Sequence, residues 1–441
     1  MTKITVAIFG ICGLIVSMGP AQTVADGGAD AQASSGSQGS ASPASGFHYG
    51  PLSISPELDV SYFHDTNPTY TEHGAKAVDA IKMQPLLDLI LTGNGWSVDA
   101  RGWMTHDMYL GSVDPMYKDT IEKDHYGESL GFNLTTPRET HYSLTEMFEY
   151  QNRNDFVLGP AINPGSPINN PGYPIDPSNP GGTYNYSWGD RYSFAVGGAM
   201  DTKLGEKTGM SAGASFSDLW YSNPLLYGWQ DVGGTLGFNR KLTEKSDLVL
   251  DFGYDSQWSD GDAGQSHSYR ALVGLGSRPD AVSSYRAEVG VMGYDYNNGT
   301  DTAYSPTYSL SGNWRLSQRL SANLNGTANY QPSETDQNNY TLVDTISAGL
   351  TYQATTRLTT SLNAIYRRED YAKEDPGATK KRLDNQFDLY GRANYRFYRY
   401  ASVFVGADVS KDVSSGGGTG NLGSGDSYNR LFLEAGVSLR F

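Results

Sequence analysis

The sequence predicts an all-β protein, a transmembrane antiparallel up-and-down β-barrel of about 18 strands. Three observations lead to this prediction. Apolar and polar residues alternate in long segments, the connections between these segments are short and long in turn, and the chain ends on an alternating apolar run. Because alternation gives a strand one apolar and one polar face, such strands can close into a barrel that turns its apolar face to lipid.

The last strand carries the clearest alternation. Every second residue is apolar in the set Leu431, Leu433, Ala435, Val437, Leu439 and Phe441. A strand of this kind with an aromatic carboxy-terminal residue resembles the terminal insertion signal of bacterial outer-membrane β-barrel proteins. We assign the membrane-insertion signal to Leu433, Val437, Leu439 and Phe441.

The amino-terminal residues indicate the same compartment. Residues 4 to 18 form an apolar run behind Lys3 that is too short to span a bilayer, and small residues suited to cleavage follow it. We expect a cleaved signal peptide at 1–25, a flexible periplasmic Gly/Ala/Ser segment at 26–47 and the barrel at 48–441. Cys12 lies within the signal, so we expect no disulfide, thiolate zinc site, iron–sulfur cluster or c-type haem in the mature protein.

The composition excludes two other classes of protein. With 52 glycines, 31 tyrosines and a mean hydropathy of -0.48, the chain does not resemble a helical membrane protein, which needs long apolar spans. The formal net charge of -16 argues against nucleic acid as a partner. We also expect no cofactor, because no cofactor-binding motif is present.

The alternating segments divide most of the chain into strands longer than those of soluble sheets. Tilted strands need about ten residues to cross the hydrocarbon layer, so long strands favour a membrane barrel over a soluble propeller or sandwich. The predicted strands are 52–63, 79–92, 96–109, 123–134, 139–151, 190–204, 208–220, 230–242, 246–258, 266–277, 284–296, 305–316, 320–330, 340–353, 357–369, 382–397, 401–411 and 427–441.

The connections predict which end of the barrel faces which compartment. Short turns such as 93–95, 205–207 and 317–319 alternate with longer Asn/Asp/Gly/Pro-rich segments such as 110–122 and 370–381. Outer-membrane barrels have short periplasmic turns and longer extracellular loops. Aromatic residues near the strand ends are expected to form two interfacial girdles. These are Tyr62, Tyr109, Tyr150, Tyr192, Trp220, Trp229, Trp258, Tyr296, Tyr330, Tyr340, Tyr371, Tyr395 and Phe397.

Two segments carry a resemblance to a family. Pro56 to Asn67, followed by Gln84 to Leu89, resembles the start of the β-barrel porin 2 group of bacterial outer-membrane porins. The resemblance implies the fold and the outer membrane of a Gram-negative bacterium, and it transfers no catalytic or binding residue. It implies contact with outer-membrane lipid and lipopolysaccharide, the barrel-assembly machinery and small hydrophilic solutes, with a homotrimer as one oligomeric option.

Strand parity predicts the residues that line the lumen. Strand 246–258 places Asp247, Asp251 and Asp255 on this face, and the strands near the carboxyl end place arginines there. The predicted pore-lining set is Asp247, Asp251, Asp255, Arg270, Arg367, Arg382, Asp388, Arg392, Arg396 and Arg430. Carboxylates on one wall and guanidinium groups on the other would create a transverse field. The alternative is local pairing of Asp251 with Arg270 and of Arg392 with Asp388.

The longest connection, 152–189, is a candidate constriction. It is the third outer loop, and its many prolines would stiffen it into a fixed eyelet carrying Arg153, Asp155 and Asp176. We expect it to narrow the pore, because the segment 26–47 is too short to serve as a plug domain. An outward-facing loop for surface recognition is the alternative.

Two further residue pairs and the distribution of the histidines bear on function. Glu128 and Glu146 have the parity of lipid-facing residues, so we expect a β-bulge, a rim position or a subunit interface at this point. His125 and His141 fall on the lumen faces of adjacent strands, where solvated side chains are a more common finding than a metal site. The histidines are dispersed without a nucleophile motif, so we expect no enzyme activity.

The sequence therefore predicts an outer-membrane porin, a channel for passive diffusion and ion transport of small hydrophilic solutes. An outer-membrane component of exopolysaccharide export is one alternative. A surface adhesin or outer-membrane enzyme with a closed lumen is the other.

Overall fold

A computed structural model describes residues 46–67, 77–111, 124–151, 190–222, 229–259, 265–280, 282–296, 301–332, 340–371, 381, 383–415 and 427–441. The predicted signal peptide, nearly all of the segment 26–47, and the loop 152–189 lie outside these residues. No helix among the described residues is long and apolar enough to cross a membrane.

Antiparallel strands make up almost all of the described chain. In order they are β1 (Phe47–Tyr49), β2 (Leu52–Asp65), β3 (Val78–Gly93), β4 (Trp96–Leu110), β5 (Asp124–Thr135), β6 (His141–Gln151), β7 (Arg191–Lys203), β8 (Thr208–Tyr221), β9 (Trp229–Lys241), β10 (Ser246–Ser259), β11 (Gln265–Ser277), β12 (Ser284–Tyr296), β13 (Asp301–Arg315), β14 (Leu320–Pro332), β15 (Tyr340–Gln353), β16 (Leu358–Tyr371), β17 (Leu383–Tyr398), β18 (Ala401–Ser415) and β19 (Tyr428–Arg440).

Strands β2 to β19 form a closed barrel in which each strand pairs with its neighbours in sequence. The closure is the pairing of β19 with β2, which runs from Phe432 opposite Asp65 to Arg440 opposite Glu57. Every strand therefore has two partners, as a barrel in lipid requires, although β13 and β14 pair only between Ser309–Arg315 and Ser321–Thr327. The predicted barrel of eighteen strands is confirmed, and the predicted strand bounds agree with the observed ones to within a few residues.

The short strand β1 was not predicted. The chain turns at Gly50, whose φ of 62° lies in the left-handed region, and β1 then pairs Phe47 with Ile54 and Tyr49 with Leu52. Because β19 pairs only with residues 57 to 65 of β2, the remaining edge of β2 would lack a partner. β1 covers that edge and protects it from pairing with other chains.

The turns at one end of the barrel are short. Asn94 and Gly95 alone join β3 to β4, and Gly95 has a φ of 79°. In the β11–β12 turn the N–H of Val282 donates to a carboxylate oxygen of Asp280 (2.9 Å), which lowers the pKa of Asp280 below its ordinary value. This is the end assigned to the periplasm, because the longest connections lie at the other end.

The outer face carries a continuous row of aromatic rings near its extracellular end. Tyr126, Tyr150, Tyr192 and Trp220 occupy matching positions on β5 to β8, with ring centroids 4.5, 5.1 and 5.4 Å apart in that order. Amphipathic rings at one level are typical of a membrane interface. Four of the aromatic residues predicted for the girdles face inward instead, because they have the opposite parity. They are Tyr109, Trp229, Tyr296 and Tyr371.

Glu128 and Glu146 lie on the outer face, below this aromatic row. The β5–β6 pairing is regular, with Glu128 opposite Phe148 and Leu130 opposite Glu146, so no β-bulge turns these carboxylates inward. The two are diagonal neighbours and are exposed. The regular register excludes the β-bulge, which is one of the three explanations considered from the sequence.

Candidate functional site: the inner wall of the barrel

The inner face of each strand is identified by alternate burial. On β19, Arg430 and Phe432 are 3% and 4% exposed, whereas Leu431 and Leu433 are 37% and 42% exposed. The even-numbered residues of β19 therefore face inward, and the cross-strand register carries this assignment around the barrel. It places all the described residues of the predicted pore-lining set on the inner face. Arg382 and the loop residues Arg153, Asp155 and Asp176 lie outside the described residues.

A buried ion pair joins the two strands that close the barrel. The guanidinium of Arg430 donates from Nε and Nη2 to both carboxylate oxygens of Asp65, at 2.8 to 3.0 Å. Both side chains are at most 1% exposed. A bidentate pair of this kind fixes geometry as well as charge, so it determines how β2 and β19 align at the extracellular end.

Aromatic rings surround this pair. Phe63 and Phe432 pack with ring centroids 5.2 Å apart, and the ammonium of Lys82 lies 5.2 and 5.5 Å from those two centroids. Closer to the periplasm, the guanidinium of Arg392 on β17 lies 3.9 Å from the ring centroid of Phe404 on β18. Cations stacked on aromatic faces are held against the wall. The inner wall at the closure is therefore packed, with its cations directed along the wall.

A second charged group lies on the far side of the barrel. Arg286 on β12 donates from Nε and Nη2 to the carboxylate of Glu288, at 2.8 and 3.0 Å, and also pairs with Asp251 on β10. A Cβ at Gly237 would come within 2.6 Å of a carboxylate oxygen of Asp251, and one at Gly233 within 2.7 Å of Asp255. The two glycines of β9 thus make space for carboxylates that lie flat on the wall.

The observed pairs favour local pairing over a transverse field, although with other partners than predicted. Asp251 pairs with Arg286 instead of Arg270, and Arg392 is nearest to Asp59, at 3.9 Å, instead of Asp388. Arg367 pairs with Glu369 at 2.6 Å. The expected wall of guanidinium groups is therefore a wall of mixed charge, because carboxylates of the same parity alternate with the arginines.

The sequence argument did not single out Asp59, Asp65, Lys82, Arg286 or Glu288. Each has inward parity, so alternation could have placed them on the lumen face. Their partners could not be found in this way, because alternation gives the face of a residue and not the cross-strand register.

Among the described residues, no group of three or more His, Cys, Asp or Glu side chains is arranged to hold a metal ion. His125 bonds to Glu149 at 2.6 Å near the extracellular end of the β5–β6 hairpin, whereas His141 lies opposite Thr135 at its periplasmic end. Ten residues along a strand separate these levels, which is about 33 Å. The two histidines therefore do not approach one another, contrary to the possibility considered from the sequence.

The barrel closure, the aromatic row and the charged inner wall together define an outer-membrane β-barrel protein. Its apolar face can contact lipid only on the outside, and its polar face encloses the lumen. No protein-family model matches the sequence, and no curated protein matches it. The resemblance to the β-barrel porin 2 group therefore stays a prediction.

Several solved structures are similar to the chain at low sequence identity. The FrpB iron transporter from Neisseria meningitidis matches with a TM-score of 0.48 at 9% identity, covering 90% of this chain and 83% of that one. OpdQ from Pseudomonas aeruginosa matches at 0.44 and 10%, covering 88% and 99%. The siderophore receptor PirA from Acinetobacter baumannii matches at 0.43 and 6%, covering 88% and 80%. The assignment above rests on the strand pairing and faces of this chain.

Proposed function

We propose that the protein is a porin that lets small hydrophilic solutes diffuse passively across the outer membrane. The observation that supports this proposal is a closed barrel of eighteen strands whose inner face carries charged side chains. A barrel of this size is wide enough to leave an aqueous channel. Membership of the β-barrel porin 2 group is part of the same proposal.

Two features would set which solutes pass. The packed wall at the closure, where Lys82 lies against Phe63 and Phe432, would reduce the lumen on one side. The segment 152–189 would narrow the remaining space and present Arg153, Asp155 and Asp176 to the solute. Size exclusion and wall charge would then act together.

Reconstitution into planar bilayers tests the channel directly. The purified protein should give discrete conductance steps, and liposomes that contain it should swell in sugars up to a size limit. Replacement of residues 156–186 by a short Gly/Ser linker should enlarge both the conductance and the size limit. The absence of any conductance step would overturn the porin proposal, whereas unchanged steps in the shortened variant would remove only the constriction.

Charge variants separate the two descriptions of the wall. Asp251→Asn leaves Arg286 paired with Glu288, and Arg392→Gln leaves the Phe404 ring in place. If the walls act through a transverse field, the two variants should change ion selectivity in opposite directions, toward anions and toward cations respectively. Local pairing predicts little change in either, because the remaining partners lie close by and salt screens distant charges.

A further inference from the structure

The lipid-facing surface of β15 to β18 contains a groove of about 380 Å³. Its floor is formed by Ala348 and Ala364, which lie opposite each other on β15 and β16. Bulkier side chains border the floor on the outer face, and they are Ile346, Tyr366, Phe387, Leu389 and Val409. The volume is in the range of small-ligand sites, and the outward-pointing lining is apolar except at one end.

Lys411 lies at that end. It is exposed on the outer face of β18, opposite Phe387, and no carboxylate of the described residues lies within ion-pair distance of its ammonium. The neighbouring cation Arg368 is different, because it pairs with Asp370 at 3.4 Å. Lys411 is thus a lipid-facing cation without a protein counter-ion among the described residues.

The position of Lys411 in the membrane follows from its row. Ile346, Tyr366, Phe387 and Lys411 are aligned across β15 to β18, and the rings of Tyr366 and Phe387 have centroids 4.8 Å apart. Aromatic rings mark the boundary between headgroups and hydrocarbon, and on β16 to β18 the row lies in the extracellular half of each strand. The ammonium is therefore at headgroup level, with the alanine floor one row deeper.

We propose that this groove binds a phosphate-bearing glycolipid of the outer leaflet, with an acyl chain over Ala348 and Ala364 and a phosphate on Lys411. A lysine on the lipid face is stabilised when it reaches an anionic headgroup, and its aliphatic stem covers apolar surface on the way. A zwitterionic phospholipid attracts the ammonium less strongly, because its headgroup carries no net charge. The inference does not depend on whether the lumen conducts.

Native mass spectrometry of the detergent-solubilised protein tests the proposal. The probes are lipid A, phosphatidylglycerol and phosphatidylcholine, added separately at equal concentration. Lipid A should bind most tightly, and Lys411→Gln should weaken its binding about fivefold while leaving phosphatidylcholine unchanged. Ala364→Phe should reduce binding of lipid A by filling the floor of the groove.

Two controls keep the result specific. Arg240→Gln removes an outward-facing cation at the periplasmic end of β9, and Ala100→Phe enlarges an outward-facing alanine on β4 far from the groove. Neither should change lipid A binding. Equal binding of lipid A to wild type and Lys411→Gln would overturn the phosphate contact. A preference for phosphatidylglycerol over lipid A would overturn the choice of the outer-leaflet glycolipid.

Discussion

Asp65 and Arg430 show how a single contact can control a barrel of this size. They are separated by nearly the whole chain, yet each is almost fully buried against the other at the closure. A buried charge without its partner is much more costly than the pair, because the interior cannot solvate it. The pair therefore distinguishes the correct alignment of β2 and β19 from a shifted one.

Removal of the Asp65 carboxylate should show how much the pair stabilises the closure. We predict that Asp65→Ala lowers the free energy of unfolding by about 3–5 kcal/mol, because Arg430 is left buried beside Phe432 without its carboxylate. Urea unfolding in detergent micelles, followed by tryptophan fluorescence, measures the change.

The matched control is the pair of Glu57 with Arg440 at the periplasmic end of the same two strands. Arg440 is 44% exposed, so Arg440→Ala should lower the free energy of unfolding by only about 0–1 kcal/mol. If Asp65→Ala and Arg440→Ala lowered the free energy of unfolding equally, burial would not be the reason why the Asp65–Arg430 pair stabilises the barrel.

The positions and faces of the strands were the features that the sequence predicted best. Alternation depends only on which residues face lipid, so it located all the strands of the closed barrel and the inward parity of residues such as Asp251 and Arg392. It could not give β1, because three residues are too few for a period to be recognised. It could not give the pairing of Asp251 with Arg286 either, since that contact crosses from β10 to β12 and depends on register.

Tryptophan quenching can test the assignment of the two faces. Trp220 stacks on Tyr192 in the outer aromatic row, whereas Trp103 on β4 faces inward and its ring lies over Gly127. We predict that lipids brominated on their acyl chains quench a variant that retains only Trp220, and have little effect on one that retains only Trp103.

The other six tryptophans would be replaced by phenylalanine in each variant. A water-soluble quencher provides the complementary measurement in the same vesicles. Strong quenching of Trp103 by brominated lipid would show that the parity of β4 is reversed.

The whole barrel depends on close approach at its closure. Gly436 on β19 packs so tightly that a Cβ there would lie 2.6 Å from the carbonyl oxygen of Val60 on β2 and 2.6 Å from the ring of Phe404. Backbone at that distance cannot move without disturbing the ladder that joins the first and last strands of the barrel. The closure thus requires a residue without a side chain at this position.

Gly436→Ala should therefore impair closure of the entire barrel. We predict that overpacking lowers the free energy of unfolding by about 1–3 kcal/mol. When samples are heated to a series of temperatures before gel electrophoresis, the folded band of the variant should disappear at a lower temperature than that of wild type. Gly406 on the neighbouring strand is the control, because its nearest contacts to an added Cβ are at 3.6 Å. Gly406→Ala should melt within a few degrees of wild type, and similar melting of both variants would contradict the steric argument.

The pairing of β1 with β2 also brings the two ends of the barrel, residues 46 and 441, close together. Phe47 lies opposite Ile54, and the N–H of Phe441 donates to the carbonyl oxygen of Pro56 (3.0 Å), so both ends contact β2 only two residues apart, about 7 Å. A short linker could join residue 46 to residue 441 without crossing the barrel. The fold is therefore suited to circular permutation, with new termini opened in an extracellular connection such as 297–300, where a displayed peptide would be presented to the outside medium.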